Sequence, residues 1–293
     1  MKAPGFAYHD PRTLDELTPL LGRLDNLRLL AGGQSLVPML NMRYAIPDHV
    51  IDLNRIPELD YVREGPDGLE IGAMARQRRL ERDDLVRQRA PVLAEALRHV
   101  GHVQTRSRGT FGGSLCHLDP AAELPGIAAL YDAVLHVAGP RGRRDIGFAD
   151  WGLAYMTPAL EPDEALTGVS LPVWREPHGH GFQEFSRRHG DFAIVAVAAL
   201  LSLDARGAVR RAVVSLVGID VRPVRLEAAE RALAGAPATP ESFAAAAETA
   251  RRLEYLSDAH VPGDYRRKLA VALTRRALAQ AAERARGGAD VRH

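Results

Sequence analysis

Two Gly-Gly pairs constrain this chain more than any other feature. The first lies in Leu29-Leu30-Ala31-Gly32-Gly33-Gln34-Ser35-Leu36 and the second in Arg108-Gly109-Thr110-Phe111-Gly112-Gly113-Ser114-Leu115. In the first, an apolar run (Leu27, Leu29, Leu30) ends at the glycines and is followed by the helical spacing of Leu36, Leu40 and Arg43. That order predicts a strand turning sharply into a short helix, a turn glycine permits because it tolerates positive φ and adds no side chain where a ligand approaches. Successive N–H groups in such a turn, with Ser35 beside them, converge on one spot and attract an anion such as a pyrophosphate. Either segment alone reads more readily as an ordinary strand-to-helix turn, and it is the pair that favours a ligand. The second repeats the feature with Gly109, Gly112 and Gly113, interleaved with Thr110 and Ser114, and leads into a run holding Cys116, His117, Asp119 and Glu123. Neither segment matches the P-loop or the Rossmann fingerprint, which disfavours nucleotide binding by those routes.

The rest of the pattern predicts an α+β chain. Phe6 to Tyr8 reads as a short strand, Thr13 with Glu16 as a capping box for a helix carrying Leu14, Leu17, Leu20 and Leu21, and Val50 to Leu53 as a strand completing a small β-α-β unit that ends near Pro57. A second unit opens on the strand Leu69 to Met74. One helical stretch from Leu80 to Val100 then feeds the second glycine segment, a helix runs from Ala121 to Tyr131, and strands follow at Ala133 to Ala138 and Leu166 to Val173. Composition shifts at Trp174 to Gly181. Beyond it a hairpin of Ala193 to Leu203 and Val209 to Ile219 precedes helices at Arg225 to Ala234, Pro240 to Leu253 and Asp264 to Ala285, with a frayed tail after Arg286.

At 293 residues the chain is long enough for two domains, and with 38 basic and 37 acidic side chains it has no overall field to draw nucleic acid or an anionic membrane. Its start lacks the apolar run of a secretory signal and no window approaches a membrane span, so a cytoplasmic protein is expected. Cys116 is the only cysteine, which excludes an internal disulfide and an iron–sulfur cluster on cysteine ligands alone. His178 and His180 lack the convergent carboxylates or cysteines of a metal site.

Ala31 to Arg43, Arg106 to Leu115, Asp119 to Pro125, Phe185 to Ala193 and Asp264 to Arg267 together resemble the FAD-binding medium subunit of molybdenum hydroxylases, a group that includes the carbon monoxide dehydrogenase medium subunit and the flavin domain of xanthine dehydrogenase. The resemblance covers nearly the whole chain. It implies a two-subdomain PCMH-type FAD-binding domain over residues 1–176 (subdomains about 1–57 and 58–176), then a carbon monoxide dehydrogenase flavoprotein C-terminal-like domain of antiparallel sheet packed with helices over 177–287, and a tail over 288–293.

It also implies a noncovalent FAD, with the pyrophosphate on Ala31, Gly32, Gly33, Gln34, Ser35 and Leu36, and the adenosine end or ribityl chain reached by Thr110, Phe111, Gly112, Gly113, Ser114 and Leu115. Related proteins with a covalent flavin often carry His where this chain has Gln34, which forms no such link. Glu123 falls on an acidic cofactor ligand of the family, though Asp119 competes for that role and serves equally as a cap on the following helix. Leu171 matches a position that packs on the flavin, or belongs to the core. Asp191 and Phe192 would sit near the isoalloxazine, His117 would line its edge or serve as a structural hydrogen-bonder, and Glu184 departs from the lysine of many relatives.

No catalytic acid or base is required by this resemblance. It implies electron transfer from an iron–sulfur small subunit, itself reduced by a molybdopterin large subunit, through FAD to NAD or another acceptor, within a heterohexamer. A free-standing FAD oxidoreductase and a nucleotide-binding assembly module without redox activity stay open beside it.

Overall fold

The computed structural model describes residues 2–290. The chain opens with β1 (Ala7–His9), α1 (Leu14–Arg23), β2 (Leu27–Leu30), α2 (Leu36–Asn41) and β3 (His49–Asp52), which form a parallel three-stranded sheet in the order β1-β3-β2. Thr13 caps α1, its Oγ1 accepting from the Glu16 N–H at 3.1 Å, while the Glu16 carboxylate reaches one residue further back to the Arg12 N–H at 2.7 Å. Leu17 and Leu21 on the buried face of α1 close over Ile51 and Leu53.

The second unit contains β4 (Val62–Glu64), β5 (Gly68–Gly72), α3 (Gln77–Arg82), α4 (Asp84–Arg89), α5 (Pro91–Leu97), α6 (Val103–Arg108), α7 (Phe111–His117), α8 (Glu123–Leu130), β6 (Val134–Gly139), β7 (Gly142–Gly147), the small pair β8 (Gly152–Ala154) and β9 (Thr157–Pro158), and β10 (Ala165–Pro172). Its antiparallel sheet runs β4-β5-β10-β6-β7. The helical stretch expected as one piece is broken twice. Asp83 turns its carboxylate onto the N–H groups of Leu85 and Val86, starting α4, and Pro91 takes the first turn of α5, where its missing N–H costs nothing. Every residue of α8 is buried, as suits a helix that is apolar nearly all round and packed on several sides.

The third unit is an antiparallel sheet β11-β12-β13-β14, formed by β11 (Gly179–Ser186), β12 (Ala193–Leu203), β13 (Val209–Val217) and β14 (Val224–Arg225), followed by α9 (Glu227–Leu233), α10 (Pro240–Glu248) and α11 (Gly263–Asp290). β11 begins inside the stretch where the composition shifts. Its Gly181 lets α11 approach closely, since a Cβ there would lie 2.9 Å from the Ala277 carbonyl carbon. α11 continues to Asp290, past the point where fraying is expected, and residues 291–293 of the expected tail lie outside the described residues. The mixed helix-and-sheet architecture agrees with the α+β expectation.

The sheet of the third unit meets the second unit at a polar seam. Arg284 Nη1 donates to Glu95 Oε2 at 2.6 Å, and His180 Nε2 lies 3.3 Å from the same oxygen. Burial pushes the Glu95 carboxyl up, but the hydrogen bonds from His180 and Arg284 outweigh it and hold the group down at about 2. Among the described residues, no helix is long and apolar enough to cross a membrane.

Candidate functional site

The first glycine segment is the bend between β2 and α2. Gly33 takes φ +72, in the region that favours glycine. Among the described residues, the backbone N–H groups of Gly32, Gly33, Gln34 and Ser35 donate to no protein acceptor, while the Gly33 and Ser35 carbonyls accept from Val37 and Met39 at 3.1 Å. The Gln34 side chain is exposed and its Nε2 donates to the Gly32 carbonyl at 3.2 Å. Four consecutive donors on a partly exposed bend are what an anionic ligand needs.

The second segment differs from the expected open loop. It is the start of α7, with Thr110 as the cap accepting from the Gly113 N–H at 3.0 Å. The Phe111 and Gly112 N–H groups are spent on the carbonyls of Ala75 and Ala73, at 3.0 and 2.9 Å. Gly112 is required by closeness: a Cβ there would fall 2.7 Å from the Ala73 Cβ. Phe111 and Leu115 are fully buried beneath. What this segment leaves for a ligand is the half-buried Ser114, whose hydroxyl has no hydrogen-bond partner among the described residues, beside the side-chain-free Gly113.

The two bends touch. A Cβ on Gly32 would lie 2.7 Å from Gly109 Cα and closer still to the Arg108 carbonyl oxygen, and one on Gly113 would lie 3.5 Å from Ala31 Cβ. A polar relay locks them together. Asn54 Nδ2 donates to the Ala31 carbonyl at 2.9 Å, and the Arg76 guanidinium donates to both Asn54 Oδ1 and the Arg108 carbonyl. The Gln77 N–H adds a bond to the Gly109 carbonyl at 2.9 Å. Burial, and then the charge of Arg108, lower the Arg76 pKa. Sequence reasoning did not single out Asn54 or Arg76. Asn54 follows the C-terminal end of β3 in the parallel sheet, a place where ligand-positioning groups gather, while Arg76 follows β5 of the antiparallel sheet and carries no such signal.

The other expected residues fall around this junction unequally. Asp119 forms the turn ahead of α8, its Oδ1 accepting from the Ala121 N–H at 2.8 Å, so its capping acts before the helix rather than at the cap residue, Ala122. Glu123, the first residue of α8, is 3% exposed, and its carboxyl is pushed up to about 8 by burial and then by the neighbouring charge of Glu184. Leu171 is 0% exposed inside the core opposite Leu69, so it offers no surface to a ligand and the core alternative describes it. His117 is half-buried and its pKa is lowered by burial. His178 and His180 go to separate partners, the Glu176 carbonyl and Glu95.

Asp191 and Phe192 are exposed on the turn between β11 and β12. In that turn Gly190 has φ +88 and lies against the His102 imidazole, whose Cε1 would be 2.5 Å from an added Cβ. His102 caps the start of α6, and α6 ends at Arg108, the residue against Gly32. Six residues of helix span about 9 Å. One short helix therefore separates the paired bends from the turn carrying Asp191 and Phe192.

Comparison with known proteins bears on this arrangement. Residues 4–174 match the model of the FAD-binding domain in molybdopterin dehydrogenase, and residues 180–281 match the carbon monoxide dehydrogenase flavoprotein C-terminal domain. The chain is 38% identical over 288 residues to the nicotine 6-hydroxylase medium subunit of Paenarthrobacter nicotinovorans, covering 97% of this chain and 100% of that one. It is 33% identical to the carbon monoxide dehydrogenase medium chain of Hydrogenophaga pseudoflava, over 95% of this chain and 97% of the other. The solved structure of carbon monoxide dehydrogenase from Hydrogenophaga pseudoflava superposes with a TM-score of 0.93 at 35% identity, covering 97% and 99% of the two chains. Quinoline 2-oxidoreductase from Pseudomonas putida 86 matches with the same TM-score, 0.93, at 35% identity over 97% and 99%. The chain belongs to the FAD-binding medium-subunit family of the molybdopterin dehydrogenases, as a flavoprotein of the oxidoreductase class whose cofactor is FAD.

Proposed function

We propose that this chain is the flavin-carrying subunit of a molybdenum hydroxylase complex, taking electrons from an iron–sulfur small subunit that a molybdopterin large subunit reduces, and passing them through FAD to NAD or another acceptor. A heterohexamer and a cytoplasmic location belong to the same proposal. The observation that carries it is the apposition of the two bends, with four unspent N–H donors on Gly32, Gly33, Gln34 and Ser35. When bound, FAD supplies two-electron redox chemistry that can also proceed in one-electron steps.

The residues of this chain would do the holding. The Gly32 to Ser35 amides would take the pyrophosphate, with Ala31 and Leu36 flanking it, and the Ser114 hydroxyl would reach a ribose or ribityl oxygen across the side-chain-free surface of Gly113. Thr110, Phe111, Gly112 and Leu115 would back that surface as fixed structure, Asp119 would form its acidic edge, and the buried, protonated Glu123 would offer a neutral carboxyl to a cofactor hydroxyl. Asp191 and Phe192 would border the ring system from the β11–β12 turn. Gln34 forms no histidyl bond, and the Cys116 thiol, pushed up to about 12 by burial, makes a poor nucleophile, so the flavin is held without a covalent link. With one cysteine the chain cannot carry cluster ligands of its own, which supports partner chains as the electron source.

The test is the visible spectrum of the purified chain, alone and co-expressed with the genes beside it. The expected chain is yellow, carries about one FAD in line with a single site, releases it on acid precipitation, and co-purifies with two further subunits that contribute iron–sulfur absorbance. A chain that stays colourless and fails to bind added FAD contradicts the proposal. An isolated chain that turns over an organic substrate unaided transfers it to the free-standing oxidoreductase.

A further inference from the structure

Arg266 belongs to the Asp264 to Arg267 motif at the start of α11 and is 8% exposed. A guanidinium in the first turn of a helix faces the positive end of the dipole, so burying it there needs compensation from other elements. Three acceptors supply it. Nη1 donates to the Ile194 and Gly218 carbonyls, each at 2.6 Å, and Nη2 donates to the Asp258 carboxylate. Asp258 is fixed in turn by the His260 and Val261 N–H groups, at 2.7 and 2.8 Å. Nε meets no acceptor among the described residues, so the two carbonyls and Asp258 are the polar partners of Arg266 there.

Both carbonyls stand where strand pairing stops. The β11–β12 register pairs Phe185 with Val195 and then Ser186 with Ala193, so Ile194 is the extra residue of a β-bulge, and the β12–β13 ladder begins at Ala196 and Val217. Gly218, next after Val217, takes φ +79, and an added Cβ would strike the Ile194 carbonyl oxygen. Carbonyl oxygens brought this close repel one another, and the charged donor between them makes the arrangement favourable.

Each carbonyl leads to a segment of the proposed site. Ile194 follows Phe192 and Ala193 out of the β11–β12 turn. The Gly218 N–H donates to the Pro120 carbonyl at 2.8 Å, inside the run from Asp119 to Glu123. Within the turn, the Arg188 carbonyl accepts from Ser186 Oγ at 3.0 Å and from the Asp191 N–H at 3.1 Å, and the side chains of Asp191 and Phe192 are exposed. Arg266 therefore holds the root of the turn, while the tip carries short-range bonds and the contact of Gly190 with His102.

We propose that Arg266 is a positioning residue for the flavin ring: by clamping the Ile194 and Gly218 carbonyls it fixes the Asp191–Phe192 turn relative to the Asp119–Glu123 run, and that separation sets the orientation of the isoalloxazine. The inference rests on the flavin reading above. The hydrogen bonds of Arg266 reach neither glycine bend, which Arg76 braces, so the ring end and the pyrophosphate end are held by separate guanidiniums.

The test is FAD and ADP binding by the full chain, with circular dichroism of the visible flavin bands as the report on the ring. Arg266→Met, which keeps a long side chain without donors, should alter those bands and weaken FAD about tenfold, the effect of leaving buried carbonyls unpaired. ADP, which lacks the ring, should bind within about twofold of wild type, since distant sites act independently. Arg266→Lys keeps the charge and a donor able to reach a carbonyl, and should restore the flavin bands part of the way. Should Arg266→Met fail to fold, Arg266→Lys and Asp258→Asn decide. Asp258→Asn removes the counter-charge while keeping an oxygen for the His260 and Val261 N–H groups, and both variants should shift the bands in the same direction. Flavin bands that match wild type in Arg266→Met, with only the melting temperature lowered, overturn the inference, as does an equal loss of ADP and FAD. Wild-type bands in both of the other variants do the same. A wild-type chain that binds no FAD overturns it together with the flavin reading, whereas a loaded wild type with unchanged bands in the variants overturns it alone and leaves that reading standing.

Discussion

Gly32→Ala should strip the flavin from this protein. The new Cβ would stand 2.7 Å from Gly109 Cα and nearer still to the Arg108 carbonyl, so the two bends must part. The obstacle is backbone on both sides and has no flexible end to swing away. Forced overpacking of this kind costs about 1–3 kcal/mol, which corresponds to a fall of roughly 10- to 100-fold in affinity if it is spent against the bound geometry. The measurement is FAD content after gel filtration together with the dissociation constant from flavin fluorescence. Gly5→Ala, where a Cβ meets nothing within 4 Å, is the control and should bind as wild type. Retention of stoichiometric flavin by Gly32→Ala would mean that the bends need not touch.

Arg76→Ala should have an effect of the same order by a different route. The guanidinium donates to Asn54 Oδ1 and to the Arg108 carbonyl, and Asn54 in turn holds the Ala31 carbonyl, so one side chain pins both bends. Each hydrogen bond from a charged group contributes about 1.5–3 kcal/mol, and losing two leaves partly buried acceptors without donors. A fall of several degrees in melting temperature and a flavin dissociation constant raised by about 100-fold are expected at that magnitude. Arg76→Lys should rescue little, because a single ammonium does not reproduce the planar fork. Flavin affinity within a small factor of wild type in Arg76→Ala would separate the relay from the site.

Much of the scaffold was legible because it depends on short-range pattern. The first bend followed from an apolar run, two glycines and helical spacing, and the α1 cap from Thr13 and Glu16. The β12–β13 hairpin followed from two apolar runs around Asp204-Ala205-Arg206-Gly207. The strands that escaped are those without such a pattern. β7 is an edge strand exposed along most of its length and rich in charge, β4 is three residues long, and β11 carries Gly179 and Gly181, whose value lies in letting α11 approach.

The second glycine segment was misread for a related reason. Glycine is a poor helix former, so Gly112-Gly113 suggests a turn, yet contact with Ala73 admits no side chain at Gly112 and packing overrides propensity. Asn54 and Arg76 carry no local motif, and only the position of Asn54 after β3 hinted at a role. Their partners lie 23, 22 and 32 residues away, and their role exists only once the two units are folded against each other. Leu171 and Glu123 stood out in sequence, but only burial distinguishes a core leucine from a surface one, or a charged glutamate from one held neutral.

The central claim is that unspent amides on one bend, braced by the other, hold a single dinucleotide. A crystal structure of the chain grown with FAD tests it directly. Pyrophosphate oxygens should lie about 3 Å from the backbone nitrogens of Gly32, Gly33, Gln34 and Ser35, with the ring system running toward the turn of Asp191 and Phe192. A flavin bound with its pyrophosphate away from both bends, or crystals that take up no FAD while those amides remain open to solvent, would contradict it.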